Sequence, residues 1–386
     1  MTDKKLLSIV IPSRNRQKYA IHCIKSILTI NDDRIEVVVH DNSDTNELEQ
    51  LVNEQIKDER LIYKYDSTPM STVHNFNKAM EYVNGEYLCF IGDDDGVNPE
   101  IVEAADWAKK NNIDAVTSKN RIGYLWPNEK RKGKQSIHPF YGKIKNVNIE
   151  HELKKFLKDG GVYYLKYDLP KVYHGIVKKE CFDKVDNTIH TYFGGLSADI
   201  FASISLSLVS KNIVSIDYPL TIAGSSAASE QTHRTEEAKH LKLKNAPHFR
   251  ARGPYKWSDN VPSVYSGASI WAESNINALE TFERHDLIKQ INKSKLAAHI
   301  VLLSPHYKKN IVKYLKNNKI SLFKYQINKQ IVIFSNFIYR IYNRFKKILF
   351  GRQSEYFYDI KTIIDAVNVF EKYRKRKNVN ISDYIS

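Results

Sequence analysis

The chain has 386 residues, 42% of them hydrophobic, which is enough to fill a large core and form two or three domains. Its three cysteines are widely spaced and form no CxxC pair, which excludes a disulfide framework and a cysteine-based zinc site and favours a reducing compartment. The formal net charge is +15, and all of this excess lies in residues 287–354, where 15 Lys or Arg and no Asp or Glu occur.

Strands and helices are predicted to alternate over the first 117 residues. Apolar runs indicate buried strands, and apolar residues at helical spacing indicate the helices between them. The predicted strands are residues 6–12, 35–40, 61–65, 87–91 and 113–117, and the predicted helices are 19–28, 48–56, 71–83 and 99–107. This alternation predicts an α/β fold with a parallel, doubly wound sheet and right-handed crossovers.

Three adjacent carboxylates follow the strand predicted at 87–91. Asp93, Asp94 and Asp95 have no basic residue between them, so their charges repel unless a cation neutralises them. Oxygen ligands suit Mg²⁺, Mn²⁺ or Ca²⁺, and the flanking Gly92 and Gly96 allow a sharp turn. The triplet therefore predicts a metal site, with an ordinary acidic surface turn as the alternative.

Two more polar loops end strands of the same predicted sheet. Pro12-Ser13-Arg14 follows the first strand, and Asp41-Asn42-Ser43 follows the second. In open α/β sheets, ligands bind beyond the carboxyl ends of the strands, which is also where the acidic triplet lies. Convergence of three such loops predicts one ligand site at this edge.

The order of these motifs resembles the inverting, metal-dependent sugar-nucleotide glycosyltransferases of family 2, which have the GT-A fold. The resemblance is close over residues 1–120 and looser up to residue 230. Two positions depart from the family pattern: Gly92 stands where many members have the first aspartate, and Phe76 stands where a basic residue commonly precedes the asparagine. The motifs that carry the resemblance are residues 8–15, 39–43 and 90–99, and Asn77, eight residues before Gly85-Glu86-Tyr87.

The resemblance implies a role for each matching residue. Asp41 would accept a hydrogen bond from the imide N–H of uracil or thymine, and the backbone of Pro12 and Ser13 would line the base and ribose. Asp93 would face the ribose hydroxyls, and Asp95 would bind Mn²⁺ or Mg²⁺ at the diphosphate; the sequence does not separate the roles of Asp94 and Asp93. The implied donor-binding set is Pro12, Ser13, Arg14, Asp41, Ser43, Asn77, Asp93 and Asp94, and the implied metal ligands are Asp95 and Asp93.

Inverting transfer also needs a base that deprotonates the acceptor hydroxyl. The prediction is Asp199, which opens an apolar helix after Gly194-Gly195, as a similar aspartate does in the resembled family. Its alternative is an ordinary first-turn aspartate favoured by the helix dipole. Rival bases are Asp183 and Asp186. The remaining candidates are the acceptor residues Tyr173 and His174, the neighbouring Tyr163, Tyr164 and Tyr167 as sugar-stacking rings or core packing, and His233 as a further metal ligand.

The predicted domain organisation divides the chain at residues 230 and 286. Residues 1–230 form the GT-A domain, with a nucleotide-sugar half (1–117) and an acceptor half (118–230), and residues 231–286 connect it to a basic helical region (287–386). Within that region, Ile331 to Leu349 carries apolar residues at helical spacing interleaved with Arg and Lys. This pattern is typical of a helix that lies in the plane of a membrane, although a basic helix packed on the enzyme body is the alternative.

These observations predict a glycosyltransferase that uses a nucleotide-sugar donor, with UDP-sugar favoured, and a glycan or lipid-linked glycan acceptor in surface polysaccharide assembly. The expected location is cytoplasmic, peripheral on the inner face of the cell membrane. A first alternative is a sugar nucleotidyltransferase, although the Pro12–Asn15 loop is not the glycine-rich phosphate loop of those enzymes. A second alternative is a nucleic-acid-binding protein that uses the basic region, although no standard recognition motif is present.

Overall fold

The computed structural model of the chain describes residues 4–227, 247–349 and 354–385. Its strands and helices alternate over the first 118 residues, as predicted. The strands are β1 (Leu7–Ser13), β2 (Ile35–Asp41), β3 (Leu61–Tyr65), β4 (Tyr87–Phe90), β5 (Gly96–Val97), β6 (Ala115–Ser118), β7 (Ile122–Leu125), β8 (Lys134–Ile137), β9 (Ile144–Asn146), β10 (Ile176–Lys178), β11 (Ile213–Ile216), β12 (Thr221–Ser225) and β13 (Glu355–Tyr358). The helices are α1 (Gln17–Leu28), α2 (Glu47–Gln55), α3 (Thr72–Met80), α4 (Ile101–Lys110), α5 (Ile149–Lys158), α6 (Lys179–Ile189), α7 (Ala198–Val209), α8 (Gly267–Thr281), α9 (His285–Ile288), α10 (Lys293–Leu303), α11 (Lys308–Asn317), α12 (Leu322–Leu349), α13 (Ile363–Lys377) and α14 (Ser382–Ile385).

The larger sheet has the order β3-β2-β1-β4-β10-β6-β11-β9. Its pairs β3–β2, β2–β1, β1–β4 and β6–β11 are parallel, which confirms the predicted α/β fold with a mostly parallel sheet. One difference is β10, which inserts between β4 and β6 and runs antiparallel to both. Only three residues long, β10 has too short an apolar run to be distinguished from a loop by its sequence pattern.

The register of the parallel strands brings the predicted ligand loops together. Val10 pairs with Val38, and Ser13 pairs with Asp41 at the carboxyl end of the sheet. Val10 also pairs with Phe90, the last residue of β4, from which the acidic loop begins. Every residue of β2 is buried, as expected for a parallel strand covered on both faces. The three loops therefore leave one edge, as the sequence predicts.

The carboxyl-terminal segment, residues 355–385, packs against the first domain. β13 pairs with β8 in the smaller sheet, whose order is β13-β8-β7-β12-β5. Helix α13 packs below β5 so closely that a Cβ at Gly96 would lie 2.8 Å from Ile363. Arg374 of this helix pairs with the buried Glu100 at 3.0 Å, and the backbone N–H of Ile381 donates to the same carboxylate at 2.9 Å. Residues 355–385 thus share the core of the first domain, whereas the sequence prediction groups them with the basic region.

A second core is formed by helices from three parts of the chain. It joins α5 and α7 with α8, α10 and α11 through fully buried residues such as Phe156, Ile276 and Leu315. Helix α12 adds Tyr325 and Val332 to this core from one side. In the described ranges, no helix has the length and apolar composition needed to cross a membrane.

Candidate active site

The three carboxylates of the acidic loop, residues 91–95, are buried. Asp93, Asp94 and Asp95 are each only 6–7% exposed. The backbone N–H of Gly92 donates to Oδ2 of Asp95 at 2.7 Å, and the N–H of Gly224 donates to Oδ1 at 2.7 Å. These two bonds hold the Asp95 carboxylate in one orientation within the loop.

Strand β12 and Ser226, which follows it, pack against the acidic loop. A Cβ at Gly224 would lie 1.8 Å from the carbonyl oxygen of Asp94, so only glycine permits this approach. The indole N–H of Trp126 donates to that carbonyl oxygen at 2.8 Å, and the backbone N–H of Ser226 donates to the Asp94 carboxylate at 3.1 Å. The loop conformation is therefore determined by residues more than 30 positions away in sequence.

Arg16 is the cation that faces the acidic loop. Its Nε lies 3.0 Å from Oδ1 of Asp93, and its Nη2 lies 2.6 Å from Oδ2 of Asp94. The Ser13 hydroxyl donates to the other oxygen of Asp93 at 2.8 Å. Among the described residues, Asp95 forms no ion pair, so one guanidinium stands against three carboxylates.

Burial and repulsion between carboxylates raise the pKa values of Asp93 and Asp95. Burial raises the pKa of Asp93 to about 6, although the Arg16 guanidinium opposes the shift. Burial, followed by the charge of Asp94, raises the pKa of Asp95 well above its usual range. The loop thus concentrates more carboxylate than its neighbours neutralise, and this donor set suits a hard divalent cation.

A cation in this loop would need further ligands beyond the protein carboxylates. The described residues include no group of three or more His, Cys, Asp or Glu side chains placed to hold a metal by themselves. Mg²⁺ is commonly bound by one or two carboxylates together with waters and substrate phosphates, and this mode fits the loop.

Asp41 lies fully buried at the end of β2 and is held by two neighbours. The backbone N–H of Ser43 donates to Oδ1 of Asp41 at 3.0 Å, and the Ser43 hydroxyl bonds to the same oxygen. The Tyr63 hydroxyl donates to Oδ2 at 2.7 Å. Burial and this hydrogen bond raise the pKa of Tyr63 above its usual range, so the phenol stays protonated and remains a donor.

The turn after β1 is held by backbone and amide hydrogen bonds. The Ser13 carbonyl accepts from the N–H of Asn42 at 2.9 Å and from the side-chain amide of Asn75 at 3.0 Å. The Arg14 side chain turns away from the acidic loop; it donates to the side-chain oxygen of Asn42 at 2.8 Å and pairs with Asp44. Pro12 lies half-buried beside these loops, next to Ser13.

Asn77 is the predicted donor residue that lies apart from the others. Its side-chain oxygen accepts from the backbone N–H groups of Tyr192 and Phe193 at 3.2 and 3.1 Å, and its amide donates to the Phe193 carbonyl at 2.9 Å. Two residues along a helix turn by roughly 200°, so Asn77 and the loop-facing Asn75 project from opposite sides of α3. Asn77 therefore supports the 191–193 loop rather than the strand ends.

Asp199 lies in the first turn of α7 and accepts two side-chain hydrogen bonds. The Tyr164 hydroxyl donates to Oδ2 at 2.8 Å, and the Ser197 hydroxyl donates to Oδ1 at 2.5 Å. Tyr164 is buried, and its pKa is raised well above its usual range by burial and by the Asp199 charge. Asp199 therefore has a fixed orientation and a protonated phenol beside it.

The loop that precedes Asp199 is held by helix α8. The Ser274 hydroxyl accepts from the backbone N–H groups of Leu196 and Ser197 at 3.0 and 2.8 Å, and Asn277 accepts from the N–H of Gly195 at 3.0 Å. The segment that the sequence interprets as a connection therefore contributes directly to the position of the candidate base.

Tyr173 forms a parallel bridge with Phe90, the last residue of β4, from which the acidic loop begins. Burial and the charges of Asp199 and Asp95 together raise the pKa of Tyr173 well above its usual range. The neighbouring His174 bonds through Nδ1 to the Thr221 hydroxyl at 2.7 Å, and burial lowers its pKa to about 3. His174 is therefore neutral at physiological pH.

The two rival bases occupy a solvated helix. Asp183 pairs with Lys179 one turn earlier in α6 at 2.7 Å, and Asp186 accepts the backbone N–H of His190 through its carbonyl. His233, the further candidate metal ligand, lies outside the described residues.

Three contributors to the site are absent from the sequence prediction: Arg16, Tyr63 and Asn75. Arg16 is two residues from the predicted Arg14, and its place in the same strand-end turn is a signal that could have identified it. Tyr63 and Asn75 reach the site through strand register and helix rotation, for which the local pattern gives no signal. The sequence pattern indicates Tyr164 only as an aromatic ring for sugar stacking or core packing, whereas in the structure its hydroxyl contacts Asp199.

Part of the chain is similar in sequence to known proteins. Residues 8–168 match the sequence profile described as Glycosyl transferase family 2. WcaA of Escherichia coli K12, assigned by name to colanic acid biosynthesis, is 33% identical over 101 residues, which are 26% of this chain and 36% of WcaA. The GalNAc(5)-diNAcBac-PP-undecaprenol beta-1,3-glucosyltransferase of Campylobacter jejuni is 31% identical over 94 residues, which are 23% of this chain and 29% of that enzyme. The aligned part thus spans about a third of the length of these relatives.

Among solved structures, TarS 1–349 of S. aureus in complex with UDP-GlcNAc is 17% identical, with a TM-score of 0.47 over 82% of this chain and 93% of TarS. The sequence match covers β1 to α5 and includes the acidic loop, Asp41 and Arg16. It confirms the family resemblance seen in the strand-end motifs. Residues 8–168, which hold the strand-end motifs, are therefore similar to the family 2 glycosyltransferases.

Proposed function

We propose that this glycosyltransferase moves a sugar from a nucleotide-diphosphate donor, with UDP-sugar favoured, to a hydroxyl of a glycan or lipid-linked glycan, with inversion at the anomeric carbon. The observation that carries the proposal is the buried acidic loop, where Arg16 faces three carboxylates and Asp95 forms no ion pair within the described residues. The names of WcaA and the Campylobacter jejuni enzyme favour a role in surface polysaccharide assembly.

Asp95, together with Asp93, would hold Mn²⁺ or Mg²⁺, because hard divalent cations prefer carboxylate oxygens. When bound, the cation supplies neutralisation of the negative charge on the leaving diphosphate. Arg16 would keep Asp93 and Asp94 in place, through its contacts at 3.0 and 2.6 Å.

The strand-end loops would bind the nucleoside. Asp41 would accept the imide N–H of a uracil ring, since Tyr63 and Ser43 already orient its carboxylate and each oxygen can accept more than one hydrogen bond. Pro12, Ser13, Arg14 and Ser43 would line the base and ribose from the two neighbouring loops. An acceptor carboxylate that matches the imide donor is the reason for favouring a uridine nucleotide.

Asp199 would act as the general base. The acceptor oxygen forms its bond to the anomeric carbon while the bond from that carbon to the diphosphate oxygen breaks, and the electron pair leaves with the diphosphate. The acceptor proton passes to a carboxylate oxygen of Asp199. A single displacement of this kind inverts the anomeric configuration. Tyr173 and His174 would lie along the acceptor path between this base and the acidic loop.

Tyr164→Phe is expected to lower kcat by about 10- to 100-fold, because a hydrogen bond to a charged group contributes on the order of 1.5–3 kcal/mol and about 1.4 kcal/mol corresponds to tenfold in rate. The KM for the donor nucleotide should not change. Loss of the Tyr164 hydroxyl as a hydrogen-bond donor disfavours the charged form of the base. The acidic limb of the pH–rate profile should therefore move to higher pH. The measurement is kcat against pH for both proteins.

Tyr167→Phe is the matched control for this variant. Its hydroxyl makes the same kind of bond to the carboxylate of Asp159 at 3.1 Å, away from Asp199. A parallel loss of activity in both variants, without a shifted pH profile, would assign Tyr164 a purely structural role.

The test of the proposed function is a panel of UDP-, dTDP-, GDP- and CMP-sugars with and without Mn²⁺. Donor hydrolysis and thermal stabilisation of the protein are measured in parallel. A uridine nucleotide is expected to stabilise the protein in the presence of Mn²⁺ and to release UDP slowly. Release of pyrophosphate from a nucleoside triphosphate and a sugar phosphate would instead indicate a nucleotidyltransferase, and stabilisation by no nucleotide would contradict the proposal.

A further inference from the structure

Helix α12 has one face that is packed against the protein and one that is not. Its packed side buries Tyr325, Asn328 and Val332, which are 3–9% exposed. Asn328 also accepts a hydrogen bond from the Asn292 side chain at 3.2 Å, just before α10 begins. The spacing of these three residues follows one helix face, so α12 is fixed on the body in a single rotational setting.

The opposite side of α12 carries an exposed apolar stripe. We name as the outer face Phe323, Ile327, Ile331, Phe334, Phe337 and Ile338, whose exposures lie between 43% and 77%. Five of these positions, Phe323, Ile327, Ile331, Phe334 and Ile338, follow one another at spacings of three or four residues, so they align along one side of α12. No described residue of this chain covers the stripe. A contiguous apolar surface of this kind marks an interaction site.

The sequence around the outer face is strongly basic. Residues 287–354 contain 15 Lys or Arg and no acid, and the side chains exposed around the start of α12 include Lys313, Lys316 and Lys324. An amphipathic helix with large apolar residues on one side and cations around it is the pattern of a helix that lies in the interface of an anionic membrane.

We propose that the outer face of α12 lies on an anionic lipid surface, with its phenylalanine and isoleucine side chains in the acyl region and the surrounding lysines at the headgroups. A second copy of the chain is a poorer occupant, because it would bring a second acid-free basic segment against the first. A nucleic acid would satisfy the lysines but would offer no apolar phase for Phe334 or Ile338. A lipid surface matches both features.

This placement stands independently of the proposed donor and acceptor. It also has a structural consequence for the catalytic domain, because β13 and α13, which follow α12 in the sequence, complete the core below the acidic loop. Both ends of α12 are therefore attached to packed parts of the protein. A lipid surface at the outer face would have a defined orientation relative to the active site.

The test uses the full chain, because residues 355–385 belong to the core of the catalytic domain and a truncation would disturb it. Co-sedimentation is measured with phosphatidylcholine vesicles and with vesicles that also contain phosphatidylglycerol. Binding is expected to require phosphatidylglycerol and to weaken with salt. A residual component should persist at high salt, because ionic strength does not screen apolar burial.

Two variants separate the apolar and the charged contributions. Phe334→Ser with Phe337→Ser, and Lys313→Glu with Lys316→Glu, are each expected to weaken vesicle binding by at least about tenfold, since a single cation near an anionic surface contributes about fivefold. Leu125→Ser and Lys57→Glu with Lys211→Glu are matched controls on the first domain and should bind as the parent does. All of these side chains are exposed, so the thermal midpoint should be retained.

Three results would overturn the proposal. The first is equal vesicle binding by the parent and both α12 variants. The second is concentration-dependent self-association that the Phe334→Ser, Phe337→Ser protein loses, which would assign the outer face to a second copy. The third is salt-dependent binding to a polynucleotide with no binding to vesicles. Donor-dependent thermal stabilisation is measured in each variant, so failure of this proposal is distinguished from failure of the proposed function.

Discussion

Asp199→Asn is expected to lower turnover by about 10²–10⁴-fold while leaving the affinity for the donor nucleotide unchanged. The acceptor proton needs a carboxylate to receive it, and an amide cannot do so. The substitution preserves the shape of the side chain, so the Tyr164 and Ser197 contacts at 2.8 and 2.5 Å retain an acceptor at one oxygen. Steady-state kcat and calorimetric donor binding, measured on the same preparation, separate the two effects.

Asp183→Asn provides the matched control, because Asp183 was a rival for the same role and pairs with Lys179 on α6. That variant should turn over at the parent's rate, since a surface ion pair contributes little to the stability of the fold. If Asp199→Asn also retained full turnover, the base would have to be another residue and the proposed mechanism would be wrong at this point.

Asp95→Asn is expected to abolish Mn²⁺-dependent binding of the donor nucleotide and, with it, sugar transfer. Asp95 is the carboxylate of the acidic loop for which the described residues provide no ion pair, and a neutral amide is a poor ligand for a hard cation. Asparagine is preferable to alanine here because it leaves one acceptor for the N–H groups of Gly92 and Gly224. Calorimetric titration of UDP with and without Mn²⁺ measures the effect.

Asp106→Asn serves as the control for the loss of one carboxylate. Asp106 lies on α4 and pairs at the surface with Arg34 and Lys110, neither of which belongs to the strand-end loops. Its variant should keep the full Mn²⁺ dependence. Unchanged Mn²⁺-dependent titration of UDP by Asp95→Asn would show that the acidic loop is not the metal site.

Local sequence patterns determined the first half of the fold. The β-branched residues of β1 and β2 are buried on both faces, as in parallel sheets, and this signal is visible in any short window of the chain. The rule that parallel strands end at one edge then predicts that the Ser13, Asp41 and Asp93–Asp95 loops converge. The strand register confirms this arrangement. The sequence could predict it because the convergence of the loops depends only on the direction and the spacing of the strands.

Only the tertiary structure decided which side chains meet at the site. Arg14 and Arg16 both lie in the turn after β1, and the sequence pattern does not distinguish them. Of the two side chains, that of Arg16 faces the acidic loop, since the turn directs them to different partners. Tyr164 reaches Asp199 across 35 positions, and Arg374 reaches Glu100 across 274. A local pattern indicates which face of an element is buried but not which distant element covers it, because that choice depends on the packing free energy of the whole chain.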